Sequence, residues 1–311
     1  MHSNLYLVKQ MNRIYEFNTI KEYNDFIGTE TLHPLVSVVD METLPHLHHA
    51  LHRFGFYTVY LKGFKCGLMQ YGRSHYDYEE GTLLFIGPHQ VAGVEAQEDD
   101  EIVPTHPGWI LAFHPDLLAG TSLAGRMREF TFFSYTSNEA LHMSEEEKQT
   151  VICALENIRG EMMRPADKHS KGIIVSYIEV FLNLCLRFYD RQFASREPVN
   201  RDTLTRFDDF LLNYYDSGQA QRKGLPSVSL CADYVHLSPN YFGDLVKRET
   251  GHSAQEHIQL FVVEKAKDLL YEKSSTVSEV AYRLGFAYPH HLSRMFKKVT
   301  GLSPVEFRRA N

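Results

Sequence analysis

The chain has 311 residues, of which 43% are hydrophobic, and this length favours at least two domains because single domains usually hold about 100–200 residues. The formal net charge of −7 excludes a uniformly basic surface, so a polyanion would have to bind locally. Residues 201–311 hold 15 Lys and Arg against 13 Asp and Glu, whereas residues 1–200 hold 17 against 26, which places the basic part at the C-terminal end.

The four cysteines, Cys66, Cys153, Cys185 and Cys231, are widely spaced and contain no C-x-x-C pair. This usage favours reduced thiols over disulfides or a zinc site. The first residues lack the charged-then-apolar pattern of a signal peptide, and no uninterrupted apolar run approaches the ~18 residues of a membrane span. We therefore expect a cytoplasmic protein with no membrane contact.

From Ile14 to Phe113 the apolar runs are short and rich in aromatic and β-branched residues, and Gly, Pro and acidic clusters separate them. This pattern predicts a mostly β module of sandwich or barrel type. The runs are "LVSVV", "FGFYTVYLKG", "CGLMQYG", "GTLLFIGPHQ" and "GWILAF". An effector pocket needs aromatic walls and a few polar groups, although the same side chains could simply be core. The candidate pocket residues are Tyr57, Tyr60, His75, Tyr76 and Trp109.

Helical periodicity begins in residues 141–192. Ser144 and Glu147 have the spacing of a capping box at the start of one helix. The next helix carries a continuous apolar seam, which either packs on the β module or forms a dimer interface. The seam consists of Ile174, Ile178, Phe181, Cys185 and Phe188, widened by Ile173, Tyr177, Val180 and Leu184. Pro198 and polar neighbours then break the periodicity, and we expect a linker over residues 193–202.

Residues 203–311 are helical throughout, and two segments within them are related. "VHLSPNYFGDLVKRETGHS" and "LGFAYPHHLSRMFKKVTGLS" align with an offset of 50 residues, which becomes 49 upstream because the second copy has one extra residue near Gly285. A length difference confined to a turn, with both flanking helices in register, predicts two helix-turn-helix units. The stretch from Ser253 to Lys273 between them predicts one helix of about 28 Å, comparable to the ~34 Å between successive major grooves on one face of DNA.

The second helix of each copy opens with proline in its first turn, buries one apolar face and displays a polar face. Such a helix fits the major groove of B-DNA. Adjacent helical residues such as His290 and His291 point about 100° apart, so they cannot share one metal ion, and a solvated helix start is the alternative to DNA contact. For Arg308 the alternatives are a phosphate contact and a surface charge. The candidate DNA-contacting residues are Asn240, Gly243, Asp244, Lys247, Arg248, His290, His291, Ser293, Arg294, Lys297, Lys298 and Arg308.

The segment "VSEVAYRLGFAYPHHLSRMFKKVTGLSPVEFRRA" resembles the C-terminal signature of the AraC/XylS family of bacterial transcription regulators. The resemblance implies an α+β multidomain protein: a cupin-like β-barrel over residues 1–140 with C-terminal flanking helices over 141–192 for dimerisation, then an all-α DNA-binding domain with two helix-turn-helix motifs over 203–311. It also implies a homodimer that binds double-stranded promoter DNA in successive major grooves, responds to a small-molecule effector, contacts RNA polymerase and more often activates than represses. We expect no catalysis and no cofactor.

Two rival hypotheses remain at this point. The first is a metal-dependent cupin enzyme with an accessory DNA-binding tail, because His46 and His48 would share one face of a strand. Such a site needs a third His and a carboxylate, and the sequence after Gly81 supplies neither at the family's positions, so we expect no metal site. The second is an adaptor that uses the helical repeat for protein contacts.

Overall fold

The computed structural model divides the chain into two compact units, Met1–Ser195 and Arg196–Asn311. The boundary lies within the linker predicted for residues 193–202, but helices occupy both sides of it: one ends at Ser195 and the next begins at Glu197. Pro198 lies in the first turn of the second helix, where a missing N–H leaves no helical hydrogen bond unmade, so it starts a helix there. The structure describes residues 14–45, 47–48, 50–63, 66–71, 74–78, 81–93, 102–103, 107–271 and 275–310.

The first unit is rich in β-structure, as the short aromatic runs predict. Its described strands form two five-stranded sheets and one two-stranded sheet, in the orders β1-β4-β9-β6-β7, β12-β8-β5-β11-β2 and β10-β3. These sheets are separate and do not join into a closed barrel in the described part of the chain. The strands are β1 Ile14–Phe17, β2 Val36–Asp40, β3 Leu47–His48, β4 Leu51–Phe54, β5 Tyr57–Lys62, β6 Cys66–Tyr71, β7 Ser74–Tyr78, β8 Thr82–Ile86, β9 Val91–Gly93, β10 Ile102–Val103, β11 Gly108–Phe113 and β12 Leu141–His142.

The two larger sheets share one hydrophobic core. Phe54 of the first sheet belongs to the same buried cluster as Tyr60 and Ile110 of the second. The opposite face of the second sheet is covered as well, because the ring of Phe85 on β8 lies 6.1 Å from that of Tyr189 in a long helix. Burial on both faces explains why strand β8, Thr82–Ile86, reads as a nearly continuous apolar run.

The helices of the first unit begin as the sequence predicts where a cap is present. Ser144 and Glu147 form the predicted capping box, in which the Glu147 N–H donates to Ser144 Oγ at 3.3 Å and the Ser144 N–H donates to Glu147 Oε2 at 2.9 Å. Short 3₁₀ turns occupy 41–43, 127–129, 131–134 and 137–139. The helices are α1 Ile20–Ile27, α2 Pro115–Leu118, α3 Ser122–Arg126, α4 Glu145–Met162 and α5 Ser170–Ser195.

Helix α5 resolves the two alternatives for the apolar seam. All five residues from Ile174 to Phe188 that define the seam are buried within the unit, so the packing alternative is confirmed for that face. The widening residues lie on another face, where Ile173 is 38% and Val180 is 52% exposed. By length and composition α5 is also the one helix among the described residues that could cross a membrane, but a helix of the core satisfies the same criterion, and 44% of its most apolar window is buried.

The second unit is all-α, with one core that contains residues from most of its helices. Val262 and Val263 of the central helix are fully buried in this core, which accounts for their apolar character in a helix that links the two repeats. A hydrogen bond between His257 Nε2 and Asp208 Oδ1 at 2.8 Å and an ion pair between Lys265 and Asp216 at 2.9 Å join the first helix to the central one. The helices are α6 Glu197–Asp216, α7 Gln219–Lys223, α8 Val228–Tyr234, α9 Pro239–Thr250, α10 Ala254–Tyr271, α11 Val277–Arg283, α12 Pro289–Thr300 and α13 Pro304–Ala310.

Candidate nucleic-acid interface

The internal repeat predicted from the sequence is present in the backbone. Helices α8 and α11 begin 49 residues apart, whereas α9 and α12 begin and end 50 residues apart. The extra residue lies in the connecting turn, which spans 235–238 in the first repeat and 284–288 in the second. Ala232 and Ala281, one in each repeat, are completely buried where a small side chain was expected.

The two connecting turns use the same backbone conformation with different residues. His236 and Gly285 occupy equivalent places, and both have positive φ, +63° and +90°. The following N–H closes each turn on the buried alanine: Leu237 donates to Ala232 O and Phe286 donates to Ala281 O, both at 3.0 Å. Only Gly285 is also tightly enclosed, because a Cβ there would lie 2.6 Å from the carbonyl oxygen of Ala220 in α7.

Helices α9 and α12 each bury one apolar face, and this fixes which face is free. Phe242 and Val246 of α9 are fully buried, as are Leu292 and Phe296 of α12. Residues at i and i+4 lie on the same side of a helix, so these pairs hold each helix against the core and leave the opposite side outward.

The outward face of α9 is polar and weakly cationic. Asn240, Lys247 and Arg248 are exposed, while Gly243 and Asp244 are half-buried beside them. Within this helix Lys247 and Arg248 are matched by Asp244 and Glu249, which gives no net charge. Glu249 accepts a hydrogen bond from Asn200 of α6, so the five predicted residues of α9 share one surface with a net charge of +1.

The outward face of α12 is strongly cationic. His290, His291 and Arg294 are exposed, as are Lys297 and Lys298. This helix contains no acidic residue, so its net charge is +3 with neutral histidines. Ser293 is half-buried at the edge of this surface, and its hydroxyl donates to the carbonyl of Pro289 at 3.3 Å.

An aromatic cluster forms at the start of α12. The rings of His290 and His291 are 4.2 Å apart between centroids, and the Tyr288 ring lies 5.7 Å from His290 in a stacked arrangement. Tyr288 is 60% exposed and was not among the predicted site residues. Tyr288 could have been added to the candidates from the sequence, because it directly precedes Pro289 and is the N-cap residue of α12.

Arg308 differs from the other predicted contacts because it is engaged inside the unit. Its Nε donates to the carbonyl of Leu270 at 3.3 Å, near the end of α10, where the last carbonyls of a helix lack partners in the helix itself. One of its terminal nitrogens is buried, whereas the neighbouring Arg309 is exposed. Arg308 thus has a contact within the unit, whereas the cations of α12 are exposed.

The three predicted pocket residues that the structure describes with side chains, Tyr57, Tyr60 and Trp109, do not share one face of the sheet. Tyr60 lies in the core between the sheets, where its hydroxyl is 2.8 Å from that of Tyr23. Tyr57 lies on the opposite face of β5 and stacks on Phe113 at 5.0 Å. Trp109 pairs with Leu61 in the sheet, which also places it on the face opposite Tyr60. The side chains of His75 and Tyr76 lie outside the described residues.

Among the described residues no cluster of metal ligands is present, and two of the three described thiols are buried while Cys153 is exposed. No group of three or more His, Cys, Asp or Glu among them is placed to hold a metal ion, while His46 and the side chain of His48 lie outside the described part. Burial raises the pKa of the Cys231 thiol to about 12, and burial also raises the pKa of Cys185. These two thiols therefore remain protonated at neutral pH and are poor nucleophiles.

Comparison with known proteins agrees with this geometry. Residues 231–310 match the sequence model of a family described as a helix-turn-helix domain. The transcriptional regulatory protein YesN of Bacillus subtilis, itself uncharacterized, is 38% identical over 95 residues, which cover 29% of this chain and 26% of that protein. The transcriptional activator RhaS of Citrobacter koseri is 23% identical over 270 residues, which cover 86% of this chain and 90% of that protein.

Among solved structures, the C-terminal domain of AraT, a response regulator from Geobacillus stearothermophilus, is 29% identical, with a TM-score of 0.27; the match covers 31% of this chain and 83% of that one. The chain spans only 26%, 34% and 10% of the lengths of three Bacillus subtilis regulators that it matches, YesN, YobQ and YtdP. Residues 231–310 thus match a helix-turn-helix domain, and YesN and RhaS are a transcriptional regulatory protein and a transcriptional activator.

Proposed function

We propose that the chain is a sequence-specific regulator of transcription that inserts α9 and α12 into successive major grooves of promoter DNA. The observation that carries the proposal is the repeat itself, in which two helices 50 residues apart have matched buried faces and polar outward faces. Helix α10 between them has 18 residues, about 27 Å at 1.5 Å per residue. That length is comparable to the ~34 Å between successive major grooves on one face of B-DNA.

In this proposal the first unit forms the dimer interface and binds a small-molecule effector. The second apolar stripe of α5, which we define as Ile173, Tyr177, Val180 and Leu184, is exposed at Ile173 and Val180 and half-buried at Tyr177 and Leu184. It has the alternating spacing of four and three that suits a helix–helix seam. It remains after the other face of α5 is buried, and a second copy of the chain is the proposed occupant. A homodimer would place four recognition helices on one operator, which lengthens the recognised sequence.

A small-molecule effector would bind between the two large sheets in a cupin-like first unit. Thr58, Tyr60 and Lys62 alternate along β5 and therefore share the face towards the core between the sheets. All three residues are buried, and the Thr58 hydroxyl has no hydrogen-bond partner among the described residues, which is unusual for a buried polar group. We propose this polar row as the effector contact, with the regulator acting in the cytoplasm on RNA polymerase, more often as an activator.

In-vitro selection with the full chain tests the function. Random duplexes are enriched on the purified protein at moderate salt, and we expect one sequence to emerge and to bind at least 1,000-fold more tightly than a scrambled duplex, since specific sites usually exceed non-specific DNA by about 10³–10⁷. Arg206→Ala removes an exposed cation of α6 outside both recognition helices and serves as the matched control for changes in α12. Failure to enrich any sequence would remove the proposal and favour an adaptor that uses the repeat for protein contacts.

A further inference from the structure

Gly243 lies in the interior of α9, where a glycine is unfavourable. The helix spans Pro239–Thr250, and glycine in such a position loses more backbone freedom on folding than alanine does. The backbone of Gly243 is not in the left-handed region that would require glycine. Its presence therefore needs another reason.

Packing within the protein does not supply that reason. A Cβ built on Gly243 would meet nothing within 4 Å, so neither a neighbouring side chain nor a neighbouring backbone excludes a larger residue. By contrast, a Cβ on Gly285 would lie 2.6 Å from a backbone oxygen, and packing requires that glycine. The free space at Gly243 opens away from the core, on the surface that includes Asn240 and Lys247.

The second repeat provides an internal comparison. The residue 50 positions after Gly243 is Ser293, which has a Cβ and lies in a helix of the same length with the same buried face. The fold of a repeat therefore accepts a side chain at this place. What distinguishes the first repeat is its outward surface, whose net charge of +1 is smaller than the +3 of α12.

We infer that Gly243 is a specificity residue that lets α9 approach the edge of a base pair more closely than a helix with a Cβ there could. This rests on the proposed function. Glycine allows a backbone to approach a ligand closely, and base edges in the major groove carry the sequence information. Helix α12 then supplies most of the attraction to phosphate through its cations, whereas α9 contributes close-range discrimination that depends on shape.

The test compares stability and DNA binding in Gly243→Ala and Gly243→Leu, because both new residues favour a helix more than glycine does. We expect the thermal transition of the second unit to rise by about 2–5 °C in Gly243→Ala. On the duplex selected by the wild-type chain, we expect affinity to fall about tenfold for alanine and further for leucine. On a scrambled duplex, both variants should stay within about twofold of the wild type.

Gly160→Ala is the matched control, because Gly160 lies inside α4 of the first unit and a Cβ there would also meet nothing within 4 Å. It should raise stability and leave DNA affinity unchanged. If the wild type selects a sequence and Gly243→Ala binds it as tightly, the inference about Gly243 is overturned while the proposed function stands. Equal losses on selected and scrambled duplexes would also overturn it, since they indicate a backbone contact. If the wild type selects no sequence, the proposed function itself fails.

Discussion

In α9 the charges of Lys247 and Arg248 are balanced by Asp244 and Glu249, whereas α12 carries Arg294, Lys297 and Lys298 with no acidic residue. The two helices nevertheless have the same length and both bury an i, i+4 pair at equivalent places, Phe242 and Val246 in α9 and Leu292 and Phe296 in α12. Burial fixes one face of each repeat, so the sequence can vary only on the other. The two repeats therefore share one scaffold, and their outward surfaces differ in charge.

The largest expected effect concerns the turns of the two repeats. Gly285→Ala would place a Cβ 2.6 Å from Ala220 O in a left-handed backbone, and we expect the free energy of unfolding of the second unit to fall by about 2–4 kcal/mol. His236→Gly at the equivalent turn should change it by less than about 1 kcal/mol, because it relieves a positive φ while adding chain entropy. Urea unfolding measures both. Equal effects at the two turns would contradict the packing difference between them.

The next effect concerns DNA affinity. Arg294→Ala and His291→Ala should each lose about 1–3 kcal/mol of discrimination at one end of the selected site if they contact bases. Arg294 is matched by Asp244 in the first repeat, so Asp244→Ala is the paired variant and should not lower affinity for the scrambled duplex. Fluorescence anisotropy with single-base variants of the duplex gives the values. A uniform loss across all sequences would reassign Arg294 and His291 to backbone contacts.

The salt dependence of DNA affinity, measured on the same proteins, distinguishes contacts to phosphate from contacts to bases. Lys297→Ala should reduce the slope of log affinity against log salt by about one if that lysine neutralises one phosphate. Lys247 occupies the matched place in α9 and has an acidic neighbour one turn away, Asp244, so Lys247→Ala should reduce the slope less. A larger change in slope for Lys247→Ala than for Lys297→Ala would indicate that α9, and not α12, supplies most of the attraction to phosphate.

The smallest expected effect concerns the first helix of each repeat. Thr276 and Glu279 form a capping box on α11, whereas Ser227 caps α8 alone and Leu230 stands where the second repeat has Glu279. Leu230→Glu should complete that box and raise the free energy of unfolding by about 0.5 kcal/mol in urea titrations at pH 7. An exposed leucine to glutamate change elsewhere in the unit, Leu212→Glu in α6, is the control and should not stabilise.

The pH dependence of this cap has a defined sign. Hydrogen bonds from the Thr276 N–H, and then from its hydroxyl, lower the pKa of Glu279 below its usual 4.5. The ionised carboxylate therefore stabilises the fold above about pH 4.5, and this contribution is lost as the pH falls through the lowered value. Glu279→Gln should be less stable than the wild type at pH 7 and approach it at low pH. A constant difference across that range would show that the carboxylate charge is not involved.

The repeat was the feature most readily predicted from the sequence. Apolar periodicity and the 49- and 50-residue offsets predicted α8, α9, α11 and α12. This was possible because the buried face of a helix and the geometry of a turn both depend on residues that are close together in the sequence. The Ser144 capping box was predicted for the same reason. The strands of the β module followed from their short aromatic runs, while a closed barrel did not appear in the described sheets.

Contacts between residues that are far apart in the sequence were harder to predict from the sequence. Strand alternation alone could have separated Tyr57 from Tyr60, but the place of Trp109 required the register between β5 and β11. The contact of Arg308 with Leu270 joins residues 38 positions apart, and no local pattern signals it. Pro198 and its polar neighbours have the composition of a loop. In the structure, however, Pro198 lies in the first turn of α6, where a proline favours the start of a helix.

The most direct test of the central claim is a footprint of the wild-type chain on the selected duplex, combined with the footprint of Arg294→Ala. If α9 and α12 enter successive major grooves, each chain should protect two major-groove patches on one face of the DNA, about 10–10.5 base pairs apart. Arg294→Ala should then weaken the patch assigned to α12 first. A single protected patch per chain, or equal weakening of both patches, would contradict the account.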